Sequence, residues 1–443
     1  MKIYAPWEKA FDRVYSSFEH FLHTQTTSGL VLLAATLIAL IVANSPFADV
    51  YYHIIHTDIT FEVGSWDLTH SLHHWINDGL MAIFFFMVGL EIKRELTVGE
   101  LSIFKNAVLP IVAAIGGMVF PAIIYAFFNH SGVGSDGWGI PMATDIAFAI
   151  SILVLLGNRI SPALVTFLVA LAIVDDLGAV LVIALFYTQE ISTLPLFLAF
   201  TSFGLLFVFN RLGIHMILPY FIVGIFMWFF MLESGVHATI AGVLAAFAIP
   251  SKPKFAPVNF TRKLRDLLDE YDSYPVATDH TTHDKQKSIL NTIQDRIYRV
   301  GTPSQRLEQS LHLPVGLVVI PIFALANAGV SIDFSSIGSS IISDISLGVI
   351  FGLVFGKVIG IFGISYLAIK LKIAHLPKNT TMFQIFAVSF LGGIGFTMSI
   401  FVADLAFVGN REMMFEAKVG ILLASLISGL MGYFMLRTYK GSD

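Results

Sequence analysis

The chain has 443 residues, 56% of them hydrophobic and only 13% charged, with a mean hydropathy of +0.78. Soluble domains carry about 25% charged residues, so this is the composition of a membrane protein, and a net charge of −5 argues against a nucleic-acid partner. There is no cysteine, which excludes a disulfide frame and a thiolate metal site.

The amino-terminal stretch MKIYAPWEKAFDRVYSSFEHFLHTQTTSG lacks a short apolar core followed by a small-residue cleavage site, so 1–25 is expected to stay as a cytoplasmic segment. Twelve apolar runs follow, each approaching the length that crosses about 30 Å of hydrocarbon. Eight are expected within 26–250, near 26–44, 72–92, 107–128, 140–156, 163–186, 194–210, 217–232 and 234–250. Four more are expected within 313–438, near 313–330, 346–369, 383–404 and 416–436. Between the first two, ITFEVGSWDL alternates around Gly64-Ser65 and predicts a β-hairpin near 58–68. Its free edge suits pairing with a second copy, so a homodimer is expected. Residues 251–312 form a charged cytoplasmic loop in which NFTRKLRDLLDEYD could hold a surface helix, and 439–443 is a short tail.

Lysine and arginine alternate with the loops. With the amino terminus in the cytoplasm, 23 of the 26 basic residues fall on the cytoplasmic side; the exceptions are Arg411, Lys418 and the mid-span Lys357. Both termini are therefore expected inside.

The fifth span, FLVALAIVDDLGAVLVIALF, carries Asp175 and Asp176 at its centre. An ionised Asp there costs roughly 2.5–3.5 kcal/mol on insertion scales, so the pair must face water, a cation or a proton. Helical neighbours diverge by about 100°, so one can face a path while the other faces a partner. The candidate partner is Lys357, too deep in GVIFGLVFGKVIGIFGISYLAI for its ammonium to reach an interface. Gly348, Gly352, Gly356 and Gly360 on the same span form a small-residue stripe for close helix packing.

Thr144 and Asp145, with Pro141, predict a broken helix in GIPMATDIAFAISILVLLGN, and Gly392, Gly393 and Gly395 predict a second break in FLGGIGFTMSIF. Two breaks in corresponding halves point to a secondary transporter with inverted repeats and a midplane ion site. The expected fold class is thus an all-α membrane protein of twelve transmembrane helices. Spans 3–5 and 10–12 are the inverted-topology repeats, and two interrupted helices cross near the bilayer midplane. If the breaks cross, Asp145 can balance the positive half-helix ends and Lys357 the negative ones.

The segments ATDIAFA, ALAIVDDLGA, SGVHATIAG, LANAGVS, GKVIGI and GIGFTMSIF, in this order over about 26–438, resemble the NhaA-type Na+/H+ antiporter family. That family is among the cases from which the broken-helix rule was drawn, so the rule adds no independent support here. The resemblance implies electrogenic export of cytoplasmic Na+ or Li+ for external H+, with pH-dependent activity serving Na+ and pH homeostasis in the bacterial inner membrane. It implies no cofactor. It makes Asp176 the main cation ligand and Asp175 a neighbour sharing proton chemistry with Lys357, with Thr144 and Asp145 beside the site. Asp78 matches an acid on the outer side. Glu91, Arg94 and Glu95 match a cytoplasmic funnel tied to pH response, with Glu308 and His312 on its other side. The 251–312 insert is longer than the family pattern, and Asp404 matches no family role.

Without the family, Glu91, Lys93, Arg94 and Glu95 read as a solvated, topology-setting cluster, and Asp145 also reads as a dipole balancer. His237 reads first as a packed, hydrogen-bonded histidine and second as a pH-response candidate. Hard oxygen ligands such as Asp175, Asp176 and Thr144 suit Na+, and protons compete for the same atoms. A protease dyad needs two acids face to face, which adjacent residues on one helix cannot supply. A passive channel lacks a repeated filter motif. Na+-coupled solute transport is the alternative reading, and an enzyme is not expected.

Overall fold

The protein is described here by a computed structural model covering residues 25–63, 66–188, 191–253, 260–274, 284–331 and 337–439. The predicted amino-terminal segment and tail lie almost wholly outside these residues. Helix α1 (Gln25–Ala43) bends by 116° into α2 (Ala48–Ile55), and the antiparallel strands β1 (Asp58–Val63) and β2 (Trp66–Ser71) follow. Asp58 pairs with Ser71 and Val63 with Trp66; the Gly64-Ser65 turn between them lies outside the described residues.

Long apolar helices then succeed one another: α3 (Leu72–Thr97), α4 (Phe104–Phe128), a 3-10 segment (Val133–Met142) leading to α5 (Ile146–Leu155), α6 (Pro162–Phe186) and α7 (Thr193–Arg211). Shorter α8 (Ile217–Glu233) and α9 (Thr239–Ala248) come next. Two polar helices, α10 (Phe260–Ser273) and α11 (Asp284–Val300), precede α12 (Pro303–Asn327). The chain ends with α13 (Ile337–Ile342), α14 (Asp344–Lys370), α15 (Met382–Leu391), α16 (Phe396–Ala406) and α17 (Arg411–Thr438). Among the described residues, 8 helices are long and apolar enough to span a membrane, or up to 10 with each bent pair as one span. The other two predicted spans are α8, of 17 residues, and α9, of 10. The run 217–232 matches α8, whereas apolar composition overstated the length of α9, because Gly235, at φ +78°, and Pro250 interrupt the run 234–250.

Local signals set the helix starts. Ser161 accepts a bond from Leu164 N ahead of Pro162 at α6, and Thr302 does the same for Gln305 N ahead of Pro303 at α12. Thr381 and Gln384 form a reciprocal capping box at α15. The Thr302 cap also explains a difference from the sequence reading. Residues 251–312, read as a loop that could hold a surface helix in NFTRKLRDLLDEYD, contain α10 at that stretch, α11 and the first turns of α12, the last because an N-cap and Pro start that helix ahead of its apolar part.

The glycine stripe of α14 determines where Lys357 stands. A Cβ on Gly356 would lie 2.7 Å from Pro121 Cα, and one on Gly352 2.7 Å from Pro141 Cβ; Gly360 meets the Gly116 backbone. Helices α4 and α14 therefore touch backbone to backbone. Widened turns at Gly352–Gly356 and Ile359–Gly363 flank Lys357 on both sides.

Candidate ion-binding site

The two interrupted segments are hydrogen-bonded to each other. Asp145 N donates to Ile394 O at 2.6 Å, Thr144 Oγ1 to Gly392 O at 2.8 Å, and Ser399 Oγ to Ile140 O at 2.8 Å. Breaking both helices exposes backbone groups that a continuous helix would satisfy, and here each break meets the other's.

Two charged side chains complete the junction. Asp145 Oδ1 accepts from Phe148 N at the start of α5, while Oδ2 accepts from Thr397 N at 3.1 Å and Thr397 Oγ1 at 2.6 Å at the start of α16. One carboxylate thus serves two helix N-termini, where negative charge is favoured. Lys357 is fully buried, and its ammonium donates to Asp175 Oδ2 at 2.6 Å, to Thr144 Oγ1 at 2.9 Å and to Met142 O, at the carbonyl end of the 3-10 segment. That one group therefore meets a carboxylate, a hydroxyl and an unpaired helix end.

Asp176 is different. It is 1% exposed, like Asp175, yet neither of its carboxylate oxygens has a hydrogen-bond partner among the described residues. The helical offset between the neighbours turns Asp175 toward Lys357 and Asp176 into a cavity. The same cavity is lined by Asp145 and Thr397 beside it and by Glu91, Arg94 and His312 towards the end of the molecule away from the hairpin. There Arg94 pairs with Glu95 and with Glu308, each at 3.0 Å, and Lys93 donates to Phe247 O and Ile249 O at the end of α9.

The remaining predicted residues lie elsewhere. Asp78 and His237 line a second cavity on the hairpin side, with His237 Nε2 3.6 Å from Asp78 Oδ1. The His237 ring packs on Phe401 with centroids 5.2 Å apart, and its Nε2 has no hydrogen-bond partner among the described residues. The pH-response candidates are therefore divided, with Glu91, Arg94, Glu95, Glu308 and His312 towards one end and His237 towards the other. Sequence reasoning missed Thr397, although a hydroxyl beside the second break mirrors Thr144 beside the first. It also missed Asn77 and Asn327, which have no charge to draw attention.

A profile of the family described as Na+/H+ antiporter 1 matches residues 19–436. The chain belongs to this family. It is 64% identical over 437 residues to the protein named Na(+)/H(+) antiporter NhaA from Sulfurimonas denitrificans, covering 99% of this chain and 98% of that one. It is 50% identical to Na(+)/H(+) antiporter NhaA 1 from Saccharophagus degradans, covering 98% and 94% of the two chains. It is 45% identical to the NhaA of Wolinella succinogenes, covering 94% and 92%. This antiporter family is one of transporters, not enzymes.

Proposed function

We infer that this Na+/H+ antiporter exchanges its ions at Asp176. The observation that carries the reading is a buried carboxylate neither of whose oxygens has a hydrogen-bond partner among the described residues, facing a cavity, beside a neighbour whose Oδ2 is held by Lys357. A buried ionised carboxylate must find a cation or a proton, and either satisfies Asp176. The two loads exclude each other. Asp175 and Thr144 are the adjacent oxygen donors, and Lys357 releases Asp175 when that carboxylate turns to the cation. Asp145 stays with its two helix ends and holds the junction while the site changes load.

In the finer reading, Na+ or Li+ leaves the cytoplasm for more than one external H+, which makes the exchange electrogenic. The hairpin face is external, both termini are cytoplasmic, and α8 and α9 complete twelve spans in the bacterial inner membrane. Spans 3–5 and 10–12 are inverted repeats, residues 251–312 are cytoplasmic, and the hairpin pairs two copies into a dimer. Glu91, Arg94, Glu95, Glu308 and His312 guard the cytoplasmic mouth and adjust activity to pH, supporting Na+ and pH homeostasis.

The test is Na+-evoked proton movement in everted membrane vesicles with a fluorescent pH probe, adding Na+, Li+ and K+ in turn without any organic solute. Na+ and Li+ evoke it in the parent, and Asp176→Asn abolishes it at equal membrane content. Normal exchange in that variant, or a need for an added solute, would overturn the reading.

A further inference from the structure

The cavity on the hairpin side has an organisation that the exchange site does not use. Its two acids, the buried Asp78 and the half-buried Asp404, each face an imidazole from the first turn of α3. His74 Nε2 lies 3.2 Å from Asp78 Oδ2, and His73 Nε2 lies 3.9 Å from Asp404 Oδ2. Each of these rings has a second imidazole beside it. His70 stacks on His74 with centroids 4.2 Å apart, and His56, which is exposed, stacks on His73 at 6.0 Å. The same grouping recurs twice: two imidazoles, one of them beside a carboxylate.

Buried amides brace the second series. Asn77 Nδ2 donates to Asp404 Oδ2 at 3.2 Å, Asn327 Nδ2 donates to Asn77 Oδ1 at 2.8 Å, and His73 Nε2 contacts Asn327 Oδ1 at 2.8 Å. The other ionisable groups facing the acids come from other elements. Lys418 of α17 lies 3.6 Å from Asp404, and His237 approaches Asp78 from the start of α9. Arg411, Tyr52 and Tyr187 also line the cavity.

Position along α16 links this cavity to the exchange site. Asp404 is seven residues beyond Thr397, which puts the two on one face of the helix about 10 Å apart. Phe401, between them, packs on His237, Phe85 and Phe323 and separates the cavities.

We propose that this cavity collects protons for the inbound half of the exchange, with His74–Asp78 and His73–Asp404 as parallel imidazole-to-carboxylate relays fed by His70 and His56. Each imidazole takes a proton from solvent and passes it to its carboxylate, returning to the neutral form. The need is kinetic. At pH 8 free protons are ~10 nM, so even association at ~10^10 M⁻¹s⁻¹ delivers only roughly 10^2 per second to one isolated group. Several basic ring nitrogens grouped at the mouth widen the target that an arriving proton can meet. The proposal rests on the antiport reading with the hairpin face external.

The test uses the full-length protein in oriented proteoliposomes, with the pH fixed on the cytoplasmic face and varied on the hairpin face in weak buffer. The variant is His56→Gln/His70→Gln/His73→Gln/His74→Gln, with Asp404→Asn as an independent variant that keeps all four imidazoles. At alkaline pH on the hairpin face, Na+-driven proton uptake is expected to fall several-fold in the four-histidine variant and by a smaller factor in Asp404→Asn, which removes one of the two parallel relays, and both are expected to approach the parent rate at acidic pH. Millimolar imidazole on that face restores it, and the KM for Na+ on the cytoplasmic face stays the same. Rate profiles that superimpose on the parent's would overturn the proposal, as would a loss that imidazole does not restore and that changes the KM for Na+. A parent protein with no Na+-evoked proton movement would instead remove the antiport reading, and the relays with it.

Discussion

Two cavities of the molecule contain carboxylates with different neighbours. On the side away from the hairpin, the cavity is largely apolar and ends on Asp176, whose oxygens have no hydrogen-bond partner among the described residues. On the hairpin side, Asp78 and Asp404 are each met by imidazole, and Asp404 also by an amide and an ammonium. A carboxylate left without partners in a buried place gains most from an arriving cation or proton. One already surrounded by titratable neighbours gains less and is suited to passing protons along. Burial alone therefore does not make an ion site; what matters is which acid the fold leaves unsatisfied.

The largest expected effect tests that difference directly. On the proposed assignment Asp176→Asn removes both the cation ligand and the proton acceptor, so Na+-evoked proton movement should disappear. Asp404→Asn should retain exchange when protons on the hairpin face are abundant. Equal, complete loss in both variants, measured in vesicles at acidic pH on that face, would erase the distinction between the cavities.

Next comes the wall behind Asp176. Lys357→Met leaves Asp175 buried without its counter-charge and should destabilise the protein by about 3–5 kcal/mol. Thermal unfolding in detergent would measure this, and Asp175→Asn/Lys357→Met should recover part of the loss, because the double variant strands no charge. Additive losses would mean that the pair does not act as a unit.

A smaller effect is expected from Gly356→Val. Its Cβ position is 2.7 Å from Pro121 Cα, so α4 and α14 must separate, at about 1–3 kcal/mol. Lys357 follows Gly356 in the chain, so the lowered melting temperature should come with a reduced exchange rate. Gly363→Val, where no atom lies within 4 Å of the added Cβ, is the matched control.

The smallest effect is expected at the cavity mouth. Arg94 is 39% exposed in its pair with Glu308, so Glu308→Gln should change stability by no more than about 1 kcal/mol. Any consequence should appear in the pH profile of exchange at constant melting temperature. A large drop in melting temperature would show that the mouth carries structural weight instead.

Much of this was legible in the chain itself. An apolar run that crosses hydrocarbon must carry its own hydrogen bonds, so membrane helices announce themselves by composition and length. An acid or ammonium in such a run is costly enough to mark itself, as Asp145, Asp175, Asp176 and Lys357 do. The breaks were readable too, because Pro141 and Gly392, Gly393 and Gly395 interrupt otherwise helical stretches. Helix ends were less legible. Gly235 and Thr302 each act through one local geometry, which hydropathy averaged over many residues does not register.

Which partner each group takes was decided only in three dimensions. The sequence makes Asp175 and Asp176 equivalent neighbours; the helix rotation, fixed by packing, turns one toward Lys357 and the other toward the cavity. Asp404 had no reading at all from its own span, since its meaning comes from His73 and Asn77 on α3 and Lys418 on α17. Thr397 was hidden for the same reason, as its hydroxyl matters only because Asp145, more than two hundred residues earlier, points at it. Composition and period are local sums, so they determine what must be buried and where the backbone must break. Pairing among buried polar groups depends on contacts between distant segments, and only the packed helices supply those.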